Sequence, residues 1–442
     1  MNMIPRDTVT YLDEYIIGQE DAKKTIALAL RNRYRRMQLT QELQDEIMPK
    51  NILMIGSTGV GKTEISRRLA KMMNLPFIKV EASKFTEVGF VGRDVESMIR
   101  DLVITSIGIV KDEYREKNTD AINDYVLNSI VEKLLPPLPS LSNDNKKEEY
   151  KASKERMKDK VLSGAMDDRI IEIEMPKMSI EFNDTNMSPD MANVQESFSK
   201  MFSSFNKENG KKEISVKEAK TVLKNEASEK LLDMEAIKNE ALKRTEQGGI
   251  VFLDEIDKIA VSSKSEGRND PSKEGVQRDL LPIVEGSTVN TKYGSIKTDH
   301  ILFIAAGAFH KVKPSDLIPE LQGRFPLRVE LESLTEEVLY KILSQTKNSL
   351  LRQYEALLGV EDVQLEFSED AVKAMAHLSQ RTNEKTEDIG ARRLHTVLEK
   401  VLEDISFDAD KYCGEKVTVD ADLVHKKLDL IIEDEDTSRY IL

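Results

Sequence analysis

The sequence predicts an α/β fold: a parallel sheet carrying a P-loop nucleotide site, interrupted by a mostly helical insertion and followed by a smaller α-rich C-terminal domain. Three observations predict it. Residues 51–63 read as a short apolar strand, a glycine-rich loop and a helix start, and Gly56-Ser57-Thr58-Gly59-Val60-Gly61-Lys62-Thr63 fits G-x-x-x-x-G-K-[ST] at every fixed position. Residues 249–257 form a second apolar run, which finishes in Asp254-Glu255. Between the two, from about 110 to 242, the composition changes: Gly164 and Gly210 are the glycines of a stretch dense in both charges, and eight of the 17 methionines fall there.

Each motif has a chemical reason. Glycines let backbone N–H groups turn inward, and a helix N-terminus adds its positive end, so a polyphosphate is held by main chain. Lys62 can reach the β- and γ-phosphates, and the Thr63 hydroxyl can ligate Mg²⁺. An apolar strand ending in acids is the expected partner of such a loop. Asp254 would hold Mg²⁺ directly or through water, and Glu255 would orient and deprotonate the attacking water. Far more chain separates Lys62 from Asp254 than the couple of β-α units a compact nucleotide domain needs there, so 110–242 is placed as an insertion between strands.

Taken in order, 8–32 reads as helical, broken near Gly18, with Gln19-Glu20-Asp21 opening the second helix. Ile16 and Ile17 read as core, and Arg31, Arg33, Arg35 and Arg36 as a solvated helix end. A helix follows the P-loop to Met73, and 77–80 is a second strand. Gly89 and Gly92 then bracket Phe90 and Val91. That pattern suits a mobile loop exposing apolar side chains, or a hairpin turn with Phe90 tucked inward. Asp94 opens an amphipathic helix through Val95, Met98, Ile99 and Leu102.

In the insertion, Val126, Ile130, Val131, Leu134 and Leu135 make one helical stripe, stopped by Pro136-Pro137. Ala219, Leu223, Ala227, Leu231, Met234 and Ala241 make another. Residues 171–182 alternate like two short strands around Pro176. The methionines fit an adaptable binding surface or the filling of an irregular core equally.

Beyond the acid pair, 262–272 is a polar loop, 275–286 a helix, 300–307 a buried strand and 329–331 a fifth strand. Residues 318–326 end a helix with Arg324 just past Gly323, which by itself describes a solvated arginine at a helix C-cap. Residues 334–351 and 369–378 are amphipathic, and 388–393 open a helix with Leu394, Val397, Leu398, Val401, Leu402 and Ile405 on one face. Arg392 falls in the first turn, where the helix dipole disfavours a cation; that suggests a ligand phosphate opposite it, or a plain surface residue. Residues 416–419 are a short strand and 423–432 a last helix. The acidic tail ends in Tyr440-Ile441-Leu442, and such a tail usually frays.

With 65 basic against 79 acidic residues and a net charge of −14, broad nucleic-acid binding is disfavoured. The single cysteine, Cys413, excludes a disulfide framework. Residues 1–13 lack a signal peptide's apolar core, and no window of about 18 uncharged apolar residues exists to span a membrane. A cytoplasmic, soluble protein is expected. There is no H-E-x-x-H, no G-x-S-x-G and no Cys/His metal spacing, so peptide-bond hydrolysis would fall to another protein.

Together, Gly56 to Thr63, the Gly89-Phe90-Val91-Gly92 loop, Leu253-Asp254-Glu255-Ile256-Asp257, the run from Glu274 to Leu281, Glu320-Leu321-Gln322-Gly323-Arg324 and Gly390-Ala391-Arg392-Arg393-Leu394 resemble the HslU (ClpY) family of AAA+ unfoldases. The similarity runs through both ends of the chain and is weakest in the insertion, where that family carries an intermediate domain. ClpX proteins are the nearest rival, but one cysteine cannot build their zinc module. The resemblance implies an AAA+ domain over 1–109 and 243–332, an intermediate domain over 110–242 and a helical C-terminal domain over 333–442. It implies an ATPase that unfolds proteins and moves them into a threonine peptidase, HslV (ClpQ). Ile17 would lie against adenine; Gly59, Val60, Gly61, Lys62, Thr63 and Glu64 would hold the phosphates of ATP; Thr63 and Asp254 would serve Mg²⁺ and Glu255 the water. Glu320 would lie near the nucleotide and Arg392 would be the second sensor. Arg324 looks like an arginine finger reaching a neighbouring subunit's nucleotide, which requires a ring, a homo-hexamer in this family. Gly89 to Gly92 resembles the pore loop, with Phe90 where tyrosine is usual. Ala305-Ala306-Gly307 departs from relatives with a polar first sensor, so no residue takes that role. Tyr440, Ile441 and Leu442 resemble the segment that docks into the peptidase and activates it. An AAA+ nucleic-acid motor or loader is the alternative; the negative charge argues against it.

Overall fold

The computed structural model describes residues 4–86, 93–135, 144–174, 211–261 and 271–433. Gly89, Phe90, Val91 and Gly92, Pro136-Pro137, the second strand expected before residue 182, residues 262–270 of the polar loop expected over 262–272, and Tyr440, Ile441 and Leu442 lie outside the described residues, while the last two loop positions already belong to helix Pro271–Glu285.

The centre is a five-stranded parallel sheet in the order Phe77–Glu81, Ile250–Asp254, Leu302–Gly307, Ile52–Ile55, Leu327–Glu330. Its strands are short apolar runs because both faces are covered, and Leu302–Gly307 is buried at every position. Alternation sorts the side chains. Leu53, Val251, Leu253, Phe303 and Ala305 enter one apolar core, while Ile52, Met54, Ile250, Phe252, Leu302, Ile304 and Ala306 enter the other. Parallel register brings the C-terminal ends of neighbouring strands level: Ile55 pairs with Gly307, and Glu81 with Asp254. The loop after Ile55 and the acids at Asp254 therefore emerge along one edge, where α/β sheets bind their ligands.

The N-terminal helices are Pro5–Asp13 and Glu20–Arg36, and the break falls at Gly18 and Gln19, both left-handed with φ of 70° and 60°. The Gln19 amide fixes the break: it donates to the Glu332 carbonyl at 2.8 Å and accepts from the Glu332 N–H at 3.0 Å.

Of the four arginines expected as a solvated helix end, Arg35 is exposed and Arg31 partly so, but two depart from the expectation. Arg33 and Arg36 are buried. The Arg33 guanidinium donates to the carbonyls of Gln247 (2.8 Å), Gly249 (2.9 Å) and His300 (2.6 Å). Arg36 donates to the Gln44 carbonyl at 2.7 Å and to Gln247 Oε1 at 2.9 Å. These carbonyls include the last ones of helix Met234–Gly248, which have no intrahelical partner. Burial pushes the Arg33 guanidinium down to about 9, with the Arg36 charge adding, so it remains protonated at neutral pH. Arg33→Met should lower stability by about 2 kcal/mol, since it leaves buried carbonyls without donors; thermal unfolding beside the exposed control Arg35→Met would measure it.

Residues Val110–Asn239 pack as a separate unit, which ends three residues short of the boundary expected at 242. Ile122, Val126, Ile130 and Val131 on helix Thr119–Leu134 and Ala219, Leu223 and Ala227 on helix Val216–Leu231 share its core. A capping box between Ser215 and Glu218 starts the second helix. Strand Ile170–Glu174 is present as expected, but its antiparallel partner is Lys211–Ser215, which carries little apolar signal.

The C-terminal residues have their own apolar core, from Leu339 to Leu428. The single helical stretch expected over 334–351 is two helices, Glu336–Ser344 and Leu350–Gly359, because the Ser349 hydroxyl caps the second by accepting from the Arg352 N–H. Gln364–Phe367 pairs in parallel with Lys416–Val419, and Thr288–Thr291 forms a hairpin with Gly294–Lys297; neither Gln364–Phe367 nor the hairpin was foreseen. No helix among the described residues is long and apolar enough to cross a membrane.

Candidate nucleotide site

The phosphate loop joins strand Ile52–Ile55 to helix Lys62–Met73. Gly59 and Gly61 have φ of 78° and 103°, a backbone that side chains rarely adopt. Among the described residues, the N–H groups of Thr58, Gly59, Val60 and Gly61 donate to no protein acceptor. The Ser57 hydroxyl is buried and also without a partner. Lys62 is buried and folds back on the loop, donating to the carbonyls of Gly56 and Ser57, the latter at 2.9 Å. Burial lowers its pKa; Asp254 and Asp257 oppose that, and the Arg392 charge adds to it. A desolvated ammonium bonded to neutral carbonyls gains a better partner when an anion arrives.

Asp254 ends its strand beside the loop. Its Oδ2 lies 3.4 Å from the Thr63 hydroxyl and forms an ion pair with Lys79 at 2.7 Å. Thr63 and Asp254 thus offer two hard oxygens side by side, a donor set that fits Mg²⁺, at a carboxylate that already attracts a cation. Glu255 is exposed and left-handed, φ 55°, and its N–H donates to Asp254 Oδ1 at 3.0 Å. That conformation costs a glutamate on the order of 1 kcal/mol and turns the chain off the sheet at the acid pair.

Ile16 is buried, with Cγ2 3.8 Å from where a Cβ on Gly61 would stand, so the segment at 16–17 lies beside the loop. Ile17 is partly exposed, not the core residue expected. The Glu64 carboxylate is taken up by Arg68 (2.6 Å) and Arg67 (3.0 Å), so any phosphate contact by Glu64 is left to its main chain. Burial opposes its ionisation, but these arginines outweigh burial and hold the carboxyl below its ordinary range. Arg392 is exposed and opens helix Arg392–Phe407, and the turn before it sits on the loop through the Ala391 N–H and the Gly59 carbonyl, 3.2 Å apart.

Glu320 and Arg324 stand elsewhere. Both are exposed on helix Pro319–Arg324, and among the described residues no hydrogen bond or ion pair joins either to the phosphate loop. Arg324 pairs with Glu285, at 2.7 and 2.9 Å. Its backbone is tied to the sheet by Asn51, which donates to the Arg324 carbonyl at 3.1 Å and accepts from the Phe303 N–H at 3.0 Å. At the end of the run 305–307, where relatives carry a polar first sensor, a Cβ on Gly307 would lie 2.6 Å from the Phe309 ring and 2.9 Å from Asp257 Oδ1. Lys79, Asp257 and Glu285 were missed by sequence reasoning. Lys79 left a signal as a charge within an apolar strand, and Asp257 stood in the quoted acid motif without a role.

A parallel sheet with this loop and an acid-ended strand at the same edge defines a P-loop nucleotide-binding protein. Residues 52–123 match the ATPase family associated with various cellular activities (AAA), and residues 175–328 match the AAA domain (Cdc48 subfamily). Full-length relatives narrow the class. The ATP-dependent protease ATPase subunit HslU of Helicobacter acinonychis (strain Sheeba) is 64% identical over 442 residues, covering all of this chain and 99% of the relative. That of Helicobacter pylori (strain G27) is 63% identical over the same shares, and that of Campylobacter jejuni (strain RM1221) 62% identical with both chains fully covered. The chain belongs to the HslU family.

Proposed function

We propose that this chain is the ATPase subunit of a two-component protease, unfolding protein substrates and feeding them to the HslV (ClpQ) threonine peptidase. The observation that carries the reading is the phosphate loop, with four N–H groups that have no protein acceptor among the described residues, beside Asp254 and Glu255, in a chain matched end to end by its relatives. In this reading 1–109 and 243–332 bind nucleotide, 110–242 is the intermediate domain and 333–442 the helical domain.

The loop N–H groups from Gly59 to Glu64 hold the ATP phosphates, and Ile17 covers the adenine. Lys62 exchanges its carbonyl partners for phosphate oxygens, and Arg392 adds a second cation. Thr63 and Asp254 would hold Mg²⁺, which when bound neutralises phosphate charge. Glu255 accepts the proton of the attacking water. Arg324 leaves Glu285 to meet the nucleotide of the next subunit, and Glu320, on the same helix, lies near it. A finger acting between copies requires a closed ring, for which we adopt the homo-hexamer of the family. Phe90 and Val91, between Gly89 and Gly92, grip the polypeptide, and Tyr440, Ile441 and Leu442 dock into the peptidase; these roles rest on the family resemblance.

Deleting 440–442 should abolish peptidase activation and leave ATP hydrolysis unchanged. Phosphate release and peptide cleavage, measured with purified peptidase present, test both halves. Retained activation would remove the docking role, and stimulation by DNA instead of unfolded protein would make the chain a nucleic-acid motor.

A further inference from the structure

We propose that Asn383 and Arg393 are positioning residues that hold the Gly390 turn on the phosphate loop, so that nucleotide affinity depends on a brace lying behind Arg392. This rests on Arg392 contacting phosphate.

The turn and the loop meet backbone to backbone. A Cβ on Gly59 would lie 2.0 Å from the Ile389 carbonyl oxygen, and a Cβ on Gly390 would lie 2.7 Å from the Thr58 carbonyl oxygen and 2.8 Å from the Gly59 carbonyl carbon. Gly390 also has φ of 59°. Both positions thus need glycine for conformation and for space.

Behind the turn, Asn383 on helix Glu369–Lys385 uses both ends of its amide. Its Nδ2 donates to the Gly390 carbonyl at 3.1 Å, and its Oδ1 accepts from the Ile389 N–H at 3.4 Å and from Arg393 Nε at 3.1 Å. Arg393 is 4% exposed and donates to the Thr386 hydroxyl at 2.9 Å and the Glu387 carbonyl at 2.8 Å. Every one of these bonds runs to residues 383–390. The acceptors are neutral, and although the Asp388 and Glu387 charges oppose it, desolvation prevails and lowers the Arg393 pKa, so burying this guanidinium is a poor way to gain stability. It is a good way to fix a turn, since the planar fork sets several backbone directions at once. Arg392 is the adjacent residue, so fixing the backbone at 393 fixes where the Arg392 side chain starts.

The test compares Asn383→Ala, Arg393→Lys, Arg392→Ala and the Asn383→Ala/Arg392→Ala double variant of the full chain. It reads the Kd for methylanthraniloyl-ATP, KM and kcat for ATP, and the thermal midpoint. Asn383→Ala and Arg393→Lys should each raise Kd and KM about tenfold, with a much smaller change in kcat. The double variant should bind no more weakly than Arg392→Ala alone, because the brace acts through Arg392. Wild-type affinity in Asn383→Ala and Arg393→Lys with only a lowered thermal midpoint would overturn the proposal, as would penalties that multiply in the double variant. Should Asn383→Ala fail to fold, Arg393→Lys carries the same expectation. Wild-type affinity in Arg392→Ala would instead overturn the phosphate role of Arg392, and the brace with it.

Discussion

Arg324→Ala should lower kcat for ATP hydrolysis about a thousandfold or more while leaving ATP affinity unchanged. The two halves of that expectation have separate grounds. Affinity is preserved because Arg324 bonds Glu285 and not the phosphate loop of its own chain. Turnover should be lost because, in the proposed role, the arginine stabilises charge that develops only as the terminal phosphate departs. The pair with Glu285 is exposed, so it holds the finger only weakly, worth about 0–1 kcal/mol. Glu285→Gln should therefore leave turnover close to normal. Steady-state phosphate release and nucleotide binding on the same preparations measure both; a fall in affinity matching the fall in turnover would place Arg324 in its own chain's site.

Glu255→Gln should retain ATP and hydrolyse it about a hundredfold to ten-thousandfold more slowly. The amide keeps the size of the side chain and cannot take a proton from water. The left-handed backbone at Glu255 is bonded through its N–H, which the substitution does not touch, so folding should be unaffected. Normal turnover would remove Glu255 from the chemistry. Lys62→Ala should fail one step earlier, at binding, which separates the two variants.

Much of the sheet was legible because its signals are local. A run such as Ile250 to Leu253 ending in Asp254 carries strand, burial and chemistry within a few residues, and the phosphate loop does the same. What stayed hidden depends on partners far along the chain. Arg33 reads as a surface charge until the carbonyl of Gly249, 216 residues away, is brought to it. The seat of Gly390 on Gly59 is equally long-range, and two glycines in turns do not announce that they touch. Strand Lys211–Ser215 was missed because lysines and glutamate fill most of it. The two helices expected as one over 334–351 were missed for a different reason: a single serine cap outweighs an unbroken amphipathic pattern. Arg392 stood out in sequence through its misfit with the helix dipole, but Arg393 shares that first turn, and nothing local says which of the two is buried.

In the proposed ring, each nucleotide is cleaved with help from the next subunit. Mixing Glu255→Gln chains, which keep Arg324, with Arg324→Ala chains, which keep Glu255, tests it most directly. If the finger acts across the boundary, two inactive preparations combined in equal amounts should recover about a quarter of wild-type ATP hydrolysis, from random pairing of neighbours in the ring. A mixture as inactive as its parts, with the chains confirmed to share rings, would contradict the account.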